Sequence, residues 1–359
     1  MSRPRLRAAL DRLPAYTAGQ PPAAAAGLTP FKMSSNENPA GPLPSVLEAI
    51  SRAASGANRY PDLMSTTLAG ALAARYGVPQ DHIALGTGSV GLLQQVVQIT
   101  SEPGDDVVFA WRSFEAYPIM TTIVGANAVQ VPLRPDQTHD LEAMARAITP
   151  RTHCIFVCTP NNPTGTVAAQ SEVDSFLDQV PDDVLVVIDE AYVEYVRDDQ
   201  AVRGLDTYRD RENVMVLRTF SKAYGLAGLR VGMAVAHPRV AAALRKVQVP
   251  FGVSGIAQAA ALACLDAEDE LLARVDETVR QRQVVEAALA EQGWRLPPSQ
   301  GNFVWLPLGE RVPEFAAACE AVNLAVRAYG LDGVRVTVGE PEADARILEI
   351  TRAFVPAHP

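Results

Sequence analysis

From Asp106 onward, short apolar runs alternate with amphipathic stretches. The runs VVFA (107–110), AVQVPL (128–133), CIFVC (154–158), VLVVI (184–188), VMVL (214–217) and VGMAVA (231–236) predict strands. Several are β-branched and apolar throughout, the texture of strands covered on both faces. DLEAMARAI (140–148) and SEVDSFLDQV (171–180) carry helical spacing between them, and earlier helices are predicted at about 45–55, 65–76 and 89–100. Strands that alternate with helices imply an α/β fold: a large domain whose mostly parallel sheet lies between helices.

Near Pro250 the pattern changes. A long helix-forming stretch, roughly 255–292, leads to shorter strands at FVWL (303–306), LAVR (324–327) and VRVTV (334–338), and the helical pattern EADARILEITRAF follows. These elements predict a smaller α+β domain. Residues 1–44, rich in Pro, Ala, Ser and Asn, read as a mostly irregular arm that joins it. The expected division is an arm at 1–44, a large domain at 45–250 and a small domain at 251–359. A length of 359 residues agrees with two or so domains at about 150 residues each.

Composition narrows the class. With 48% hydrophobic and 20% charged residues the chain can bury a large core. Its net charge of −10 argues against nucleic acid or an anionic membrane as partner. No apolar run approaches the ~18 residues of a membrane helix, and the basic start lacks the apolar stretch of a signal peptide. Four cysteines are too few for a disulfide framework, and Cys154 and Cys158 fall on one face of a predicted strand as core thiols. The five histidines fall singly, so no metal site is expected, and the compartment expected is the cytoplasm. More telling is the basic set: of 31 Lys and Arg, only Lys32, Lys222 and Lys246 are lysine. Arginine cannot replace lysine where an amine must deprotonate and form a Schiff base, so each lysine is a candidate for that chemistry.

Four motifs sit where chemistry could. Gly86-Thr87-Gly88-Ser89-Val90-Gly91 fits GxGxxG and opens a helix, whose N-terminal amides and dipole suit a phosphate. A simple turn is the plain alternative. A dinucleotide reading fails, because Asp105 and Asp106 precede the next strand instead of ending it. Thr159-Pro160-Asn161-Asn162-Pro163-Thr164-Gly165 follows CIFVC directly, as a ligand loop or a well-made turn. Asp189-Glu190-Ala191-Tyr192 follows VLVVI, where a carboxylate needs a partner or caps a helix. Thr219 to Arg230 follows VMVL and carries Lys222. Lys246, beside Arg245 in a helical pattern, reads as a surface residue, and Lys32 lies in the arm with no evident partner.

NPTG, then DxxY, then SKxxGLxGxRxG, in this order, resemble the fold type I pyridoxal-phosphate aminotransferases over nearly the whole chain. LPAYTAG (13–19), SSNENPAGP (34–42) and RYPD (59–62) are similar to the histidinol-phosphate aminotransferase group within them. The resemblance implies pyridoxal 5′-phosphate as cofactor, with Lys222 bonded to it and carrying the proton between substrate Cα and cofactor. It implies Asp189 at the pyridine nitrogen, and Asn162 and Tyr192 at the phenolic oxygen. Ser89, the Val90 backbone, Ser221 and Arg230 would hold the phosphate, and Phe114 would stack on the ring. Tyr60 would reach the cofactor phosphate of a neighbouring subunit, which implies a homodimer. Arg335 would grip the substrate's carboxylate or phosphate; taken alone it could also be an outward surface arginine.

Two stretches depart from the histidinol-phosphate pattern, which commonly has an acid or Asn followed by Glu where Val90 and Gly91 stand. GTGSVGLLQQ and WRSFEAYPI resemble instead the actinobacterial aminotransferases of aromatic amino acids. The expected reaction moves the amino group of Phe, Tyr or Trp to an oxo acid such as 2-oxoglutarate in a ping-pong cycle. The alternatives are histidinol-phosphate transamination, for which Tyr16 and Arg327 would help Arg335 bind phosphate, and, in another reaction class, a C–S lyase or decarboxylase. A non-enzymatic effector-binding regulator fits least, given the acidic chain.

Overall fold

A computed structural model describes residues 4, 6–13 and 27–356. The arm contributes strand β1 (Phe31–Lys32), followed by helices α1 (Pro44–Ala54) and α2 (Thr66–Tyr76). Strand β2 (Ile83–Gly86) turns into α3 (Gly88–Thr100), and β3 (Asp106–Trp111), α4 (Ala116–Val124), β4 (Asn127–Pro132), α5 (Leu141–Arg146), β5 (Thr152–Cys158) and α6 (Gln170–Leu177) follow. Then come β6 (Leu185–Asp189), α7 (Gly204–Asp210), β7 (Val214–Thr219), β8 (Gly232–Val235) and α8 (Pro238–Val247). The strands assemble into one seven-stranded sheet in the order β2-β8-β7-β6-β5-β3-β4. Neighbours are parallel except at β8, which is antiparallel to both β2 and β7.

The apolar texture of the central strands has its reason in this order. Every residue of β5 except His153, and every residue of β6, is buried, because helices cover both faces of the sheet. Ile155, Val157, Val186 and Ile188 face one core, and Cys154, Phe156, Cys158, Leu185 and Val187 face the other. Cys154 and Cys158 are buried free thiols.

Beyond Pro250 the expected single helix is two, α9 (Gly255–Asp266) and α10 (Glu268–Glu291), which meet at Ala267. A second sheet of three antiparallel strands follows. Its members are β9 (Phe303–Leu306), β11 (Arg327–Tyr329) and β12 (Gly333–Thr337), in the order β11-β12-β9. The run LAVR breaks at Val326, so that β10 (Leu324–Ala325) pairs in parallel with β1 while β11 joins the small sheet. Helices α11 (Val312–Glu320) and α12 (Pro341–Thr351) pack there. Along α9 and α10, Ala257, Ala260, Cys264, Val275 and Val279 pack in the core of the large sheet, whereas Val285 and Leu289 belong to that of the small one. Among the described residues, no helix is long and apolar enough to cross a membrane.

Candidate active site

The carboxyl ends of β2, β3, β5, β6 and β7 share one edge of the large sheet, and ligands in open α/β sheets gather at such an edge. There, with the arm and the small sheet, they wall a cavity of about 220 Å³. Ser89, Val90, Phe114, Asn162, Asp189, Tyr192, Ser221, Lys222, Arg230, Arg327 and Arg335 all line it. Tyr60 does not: it is 83% exposed and stacks on Phe251, with ring centroids 4.6 Å apart. Tyr16 lies outside the described residues.

Asp189 is the last residue of β6, in register between Cys158 and Leu217. It caps no helix. Tyr117 of α4 donates to its Oδ2 at 2.8 Å, and Oδ1 is buried without a partner. Burial pushes the carboxyl up to about 6, against the pull of the Tyr117 hydroxyl and the Ala191 amide. An unpartnered buried carboxylate oxygen is costly, so Oδ1 is matched to a donor that enters the cavity.

Lys222 follows β7 by three residues and extends its amine into the cavity, donating to the Ser35 carbonyl at 2.9 Å. The cavity walls desolvate the ammonium, and the charges of Arg335 and Arg230 oppose it. Its pKa falls to about 7, with Glu37 pulling the other way. Much of the amine is therefore neutral and nucleophilic near pH 7. The other lysines differ: Lys32 pairs with Glu37 at 3.0 Å, and Lys246 lies in the last turn of α8.

The helix that GxGxxG opens is α3, and no side chain caps its N-terminus, so its first amides remain available to an anion. Two glycines let the turn come close. A Cβ on Gly88, at φ +74°, would lie 2.4 Å from Arg230 Nη2, and one on Gly232 would lie 2.5 Å from the Ser89 nitrogen. Arg230, itself left-handed at φ 58°, sits at the exposed rim and donates to Ala227 O at 2.8 Å and Ser221 Oγ at 3.4 Å. Helix amides, two hydroxyls and a guanidinium thus face one corner, a donor set for phosphate.

Arg335 is buried, 5% exposed, on a strand whose residues are all buried. It is not an outward surface arginine. Its guanidinium donates to Ser34 O at 2.6 Å, to Tyr329 Oη at 2.9 Å and to Asn162 Oδ1. Tyr192 is buried, and its hydroxyl accepts from Asn36 Nδ2 at 2.9 Å. Asn36 adopts φ 52°, a conformation Asn tolerates, and it exchanges bonds with Thr337 at 3.0 and 2.9 Å. One arm residue thereby ties the site to the small sheet. Arg327 pairs with Glu115 at 2.6 Å. Phe114 meets Tyr117 edge to face at 5.6 Å.

Tyr117, Asn36, Glu115 and Tyr329 carry no role that the sequence alone suggests. Asn36 and the serines before it lie in the SSNEN stretch, which is a usable signal. Tyr117 and Glu115 lie inside WRSFEAYPI, where nothing local sets them apart.

The buried free oxygen of Asp189, the depressed Lys222 amine and the phosphate-type corner lie in one cavity, a set that would suit a phosphorylated aldehyde bearing a basic ring. Similarity to known proteins agrees. Residues 29–350 match the family model of aminotransferases of class I and II, and the chain belongs to that family. It is 60% identical over 351 residues to an aromatic amino acid aminotransferase of Streptomyces avermitilis, which covers 98% of both chains. It is 55% identical to the enzyme of the same name from Thermobifida fusca, across 98% of this chain and 97% of that one. Among solved structures, the histidinol-phosphate aminotransferase of Sinorhizobium meliloti in complex with pyridoxal-5′-phosphate is similar at a TM-score of 0.87 and 29% identity, covering 98% and 99% of the two chains.

Proposed function

We propose that this aminotransferase moves the amino group of an aromatic L-amino acid, Phe, Tyr or Trp, to an oxo acid such as 2-oxoglutarate, with pyridoxal 5′-phosphate as cofactor. The observation that carries the cofactor is the pairing of Lys222 with the unpartnered Oδ1 of Asp189 in one cavity. When bound, pyridoxal phosphate supplies an aldehyde for the amine and a protonated ring that draws electrons from the substrate's Cα. Asp189 holds the ring's nitrogen proton, a task that requires it to be ionised. The α3 amides, Ser89, Ser221 and Arg230 hold the phosphate, and Phe114 covers a ring face. Asn162 and Tyr192 hold the phenolic oxygen. Lys222, as a neutral amine, would take the proton from the substrate's Cα and deliver it to the cofactor's aldehyde carbon, on the other side of the nitrogen.

Arg335 is the carboxylate grip. A guanidinium binds a planar carboxylate in bidentate fashion, and Tyr329, Ser34 and Asn162 hold this one in place. The names of the two relatives at 55–60% identity support an aromatic amino acid as the substrate whose carboxylate Arg335 grips. Histidinol phosphate remains the second reading, supported by the likeness to the Sinorhizobium enzyme.

The assembly is a homodimer in which Tyr60 completes the partner's phosphate site. Support comes from its exposure and from the apolar side chains exposed near it, Leu63, Met64, Val249 and Phe251. The buried free thiols suit a reducing cytoplasm.

The deciding experiment compares kcat/KM for phenylalanine, tyrosine and histidinol phosphate on the purified holoenzyme, with 2-oxoglutarate as acceptor. Phenylalanine or tyrosine is expected to lead. A higher value for histidinol phosphate than for every aromatic amino acid reverses the substrate assignment. Release of product without amine reaching the oxo acid assigns a lyase or decarboxylase instead.

A further inference from the structure

Arg327 and Arg335 stand directly opposite each other in the antiparallel pairing of β11 with β12. Cross-strand partners project to the same face, and like charges set opposite are destabilising unless something neutralises them. Both guanidinium groups reach the wall of the Lys222 cavity, and both lie near the Tyr329 ring, at 5.5 and 5.7 Å from its centroid. Two arginines so placed would form a ready clamp for a dianion. The large sheet intervenes. Glu115, which stands just before α4 and lines the same cavity, forms an ion pair with Arg327 at 2.6 Å.

This pair is half-buried, with 11% of the Arg327 side chain and 27% of the Glu115 side chain exposed. Its attraction is less screened than that of a surface pair. A second ion pair, Arg112 with Asp332, ties the same loop to the turn of the same hairpin, and so holds Glu115 against β11. Arg335 has no carboxylate partner among its described contacts; two carbonyl oxygens and a tyrosine hydroxyl hold it instead. The pair of arginines is thus divided, one neutralised by an acid and one left charged for a ligand.

We infer that Glu115 is a specificity-determining residue: by occupying Arg327 it keeps the substrate wall fit for a monoanionic carboxylate and closes it to substrates that carry a phosphate. A phosphate monoester brings roughly −1.5 to −2 charges. Seated between Arg327 and Arg335, it would meet the Glu115 carboxylate, and would gain one unneutralised guanidinium where it needs two. Its desolvation would then go uncompensated, a repulsive element of the kind that separates related substrates. The inference rests on the aromatic reading, which names the ligand of Arg335 as a carboxylate.

The test measures what the phosphate itself contributes, as the ratio of kcat/KM for histidinol phosphate to that for unphosphorylated histidinol, on the holoenzyme. In Glu115→Gln this ratio is expected to rise by about tenfold or more, as for a charged ligand relieved of one buried like charge. Glu115→Ala is expected to do the same, and adding Arg327→Gln to either variant should return the ratio to its wild-type level. A ratio unchanged in both single variants overturns the inference. So does a rise that persists when Arg327 is also replaced, since the phosphate would then be bound elsewhere. The aromatic reading is tested separately in the wild type, which either prefers phenylalanine or tyrosine to histidinol phosphate or does not.

Discussion

Tyr117 donates its hydroxyl to Oδ2 of Asp189 at 2.8 Å, and the other carboxylate oxygen, Oδ1, is left buried without a partner. One oxygen is held in place while the other is presented to the cavity. The tyrosine comes from α4 and the aspartate from the end of β6, so the packing of that helix on the sheet sets the direction in which Oδ1 points. Burial alone would make Asp189 a weaker acid; the Tyr117 hydrogen bond stabilises its ionised form.

Tyr117→Phe should therefore weaken cofactor binding, and should do so most at low pH. The carboxyl of Asp189 sits at about 6, so its ionised form is present above that value and lost as pH falls through it. Without the hydroxyl the carboxyl rises further, and the loss begins at higher pH. Fluorescence titration of the apoprotein with pyridoxal phosphate, from about pH 5 to about pH 8, should show affinity roughly tenfold lower in the variant at neutral pH and a midpoint moved upward. An unmoved midpoint would mean that Tyr117 does not control Asp189.

The depressed pKa of Lys222 predicts a reactive amine. Because its pKa lies at about 7, the neutral form grows as pH rises through that value. The apoprotein should condense with pyridoxal, which lacks the phosphate, at a rate that climbs through neutrality and levels above it. Stopped-flow absorbance follows the reaction. Lys222→Ala should abolish it and lower transamination by at least about a hundredfold, whereas Lys32→Ala should leave both in place. A rate that still climbs near the pKa of an ordinary lysine would show that burial does not tune the group.

Arg335→Gln should damage substrate recognition more than the cofactor site. Removing a bidentate guanidinium from a buried carboxylate contact costs about 2–3 kcal/mol, so kcat/KM for phenylalanine should fall by roughly one to two orders of magnitude. Steady-state kinetics, with cofactor content checked by absorbance, separates the two effects. Full activity in the variant would remove Arg335 from the substrate site.

Subunit mixing tests the shared site. Combining Tyr60→Ala with Lys222→Ala chains should regenerate sites that have both residues intact, up to roughly a quarter of all sites after full exchange in a twofold dimer. Activity of the mixture no higher than that of the separate variants, with exchange verified by differential tagging, would place Tyr60 in its own chain's site.

Much of this protein can be read along the chain. The strands CIFVC, VLVVI and VMVL are legible because helices cover both faces of a parallel sheet, and only uninterrupted apolar runs satisfy that. The ends of those strands mark Asn162, Asp189 and Lys222 as neighbours, since parallel strands release their loops at one edge. Local signals are weaker where structure depends on contacts outside the segment. Strand β2 has only four residues, and its place comes from pairing with β8 about 150 residues later. Ala267 divides one helical pattern into two helices, and Val326 divides one apolar run between two sheets, because each half packs on a different neighbour.

The sequence by itself pointed to the chemistry through NPTG, DxxY and SKxxGLxGxRxG, whose resemblance to the pyridoxal-phosphate aminotransferases implied the cofactor and the residues to hold it. Only the tertiary structure decided how that chemistry is aimed. Tyr117 lies 72 residues from Asp189, and Glu115 lies 212 from Arg327. Periodicity and propensity report on neighbours three or four residues apart, whereas a charge is oriented or neutralised by whatever the fold brings within hydrogen-bond reach.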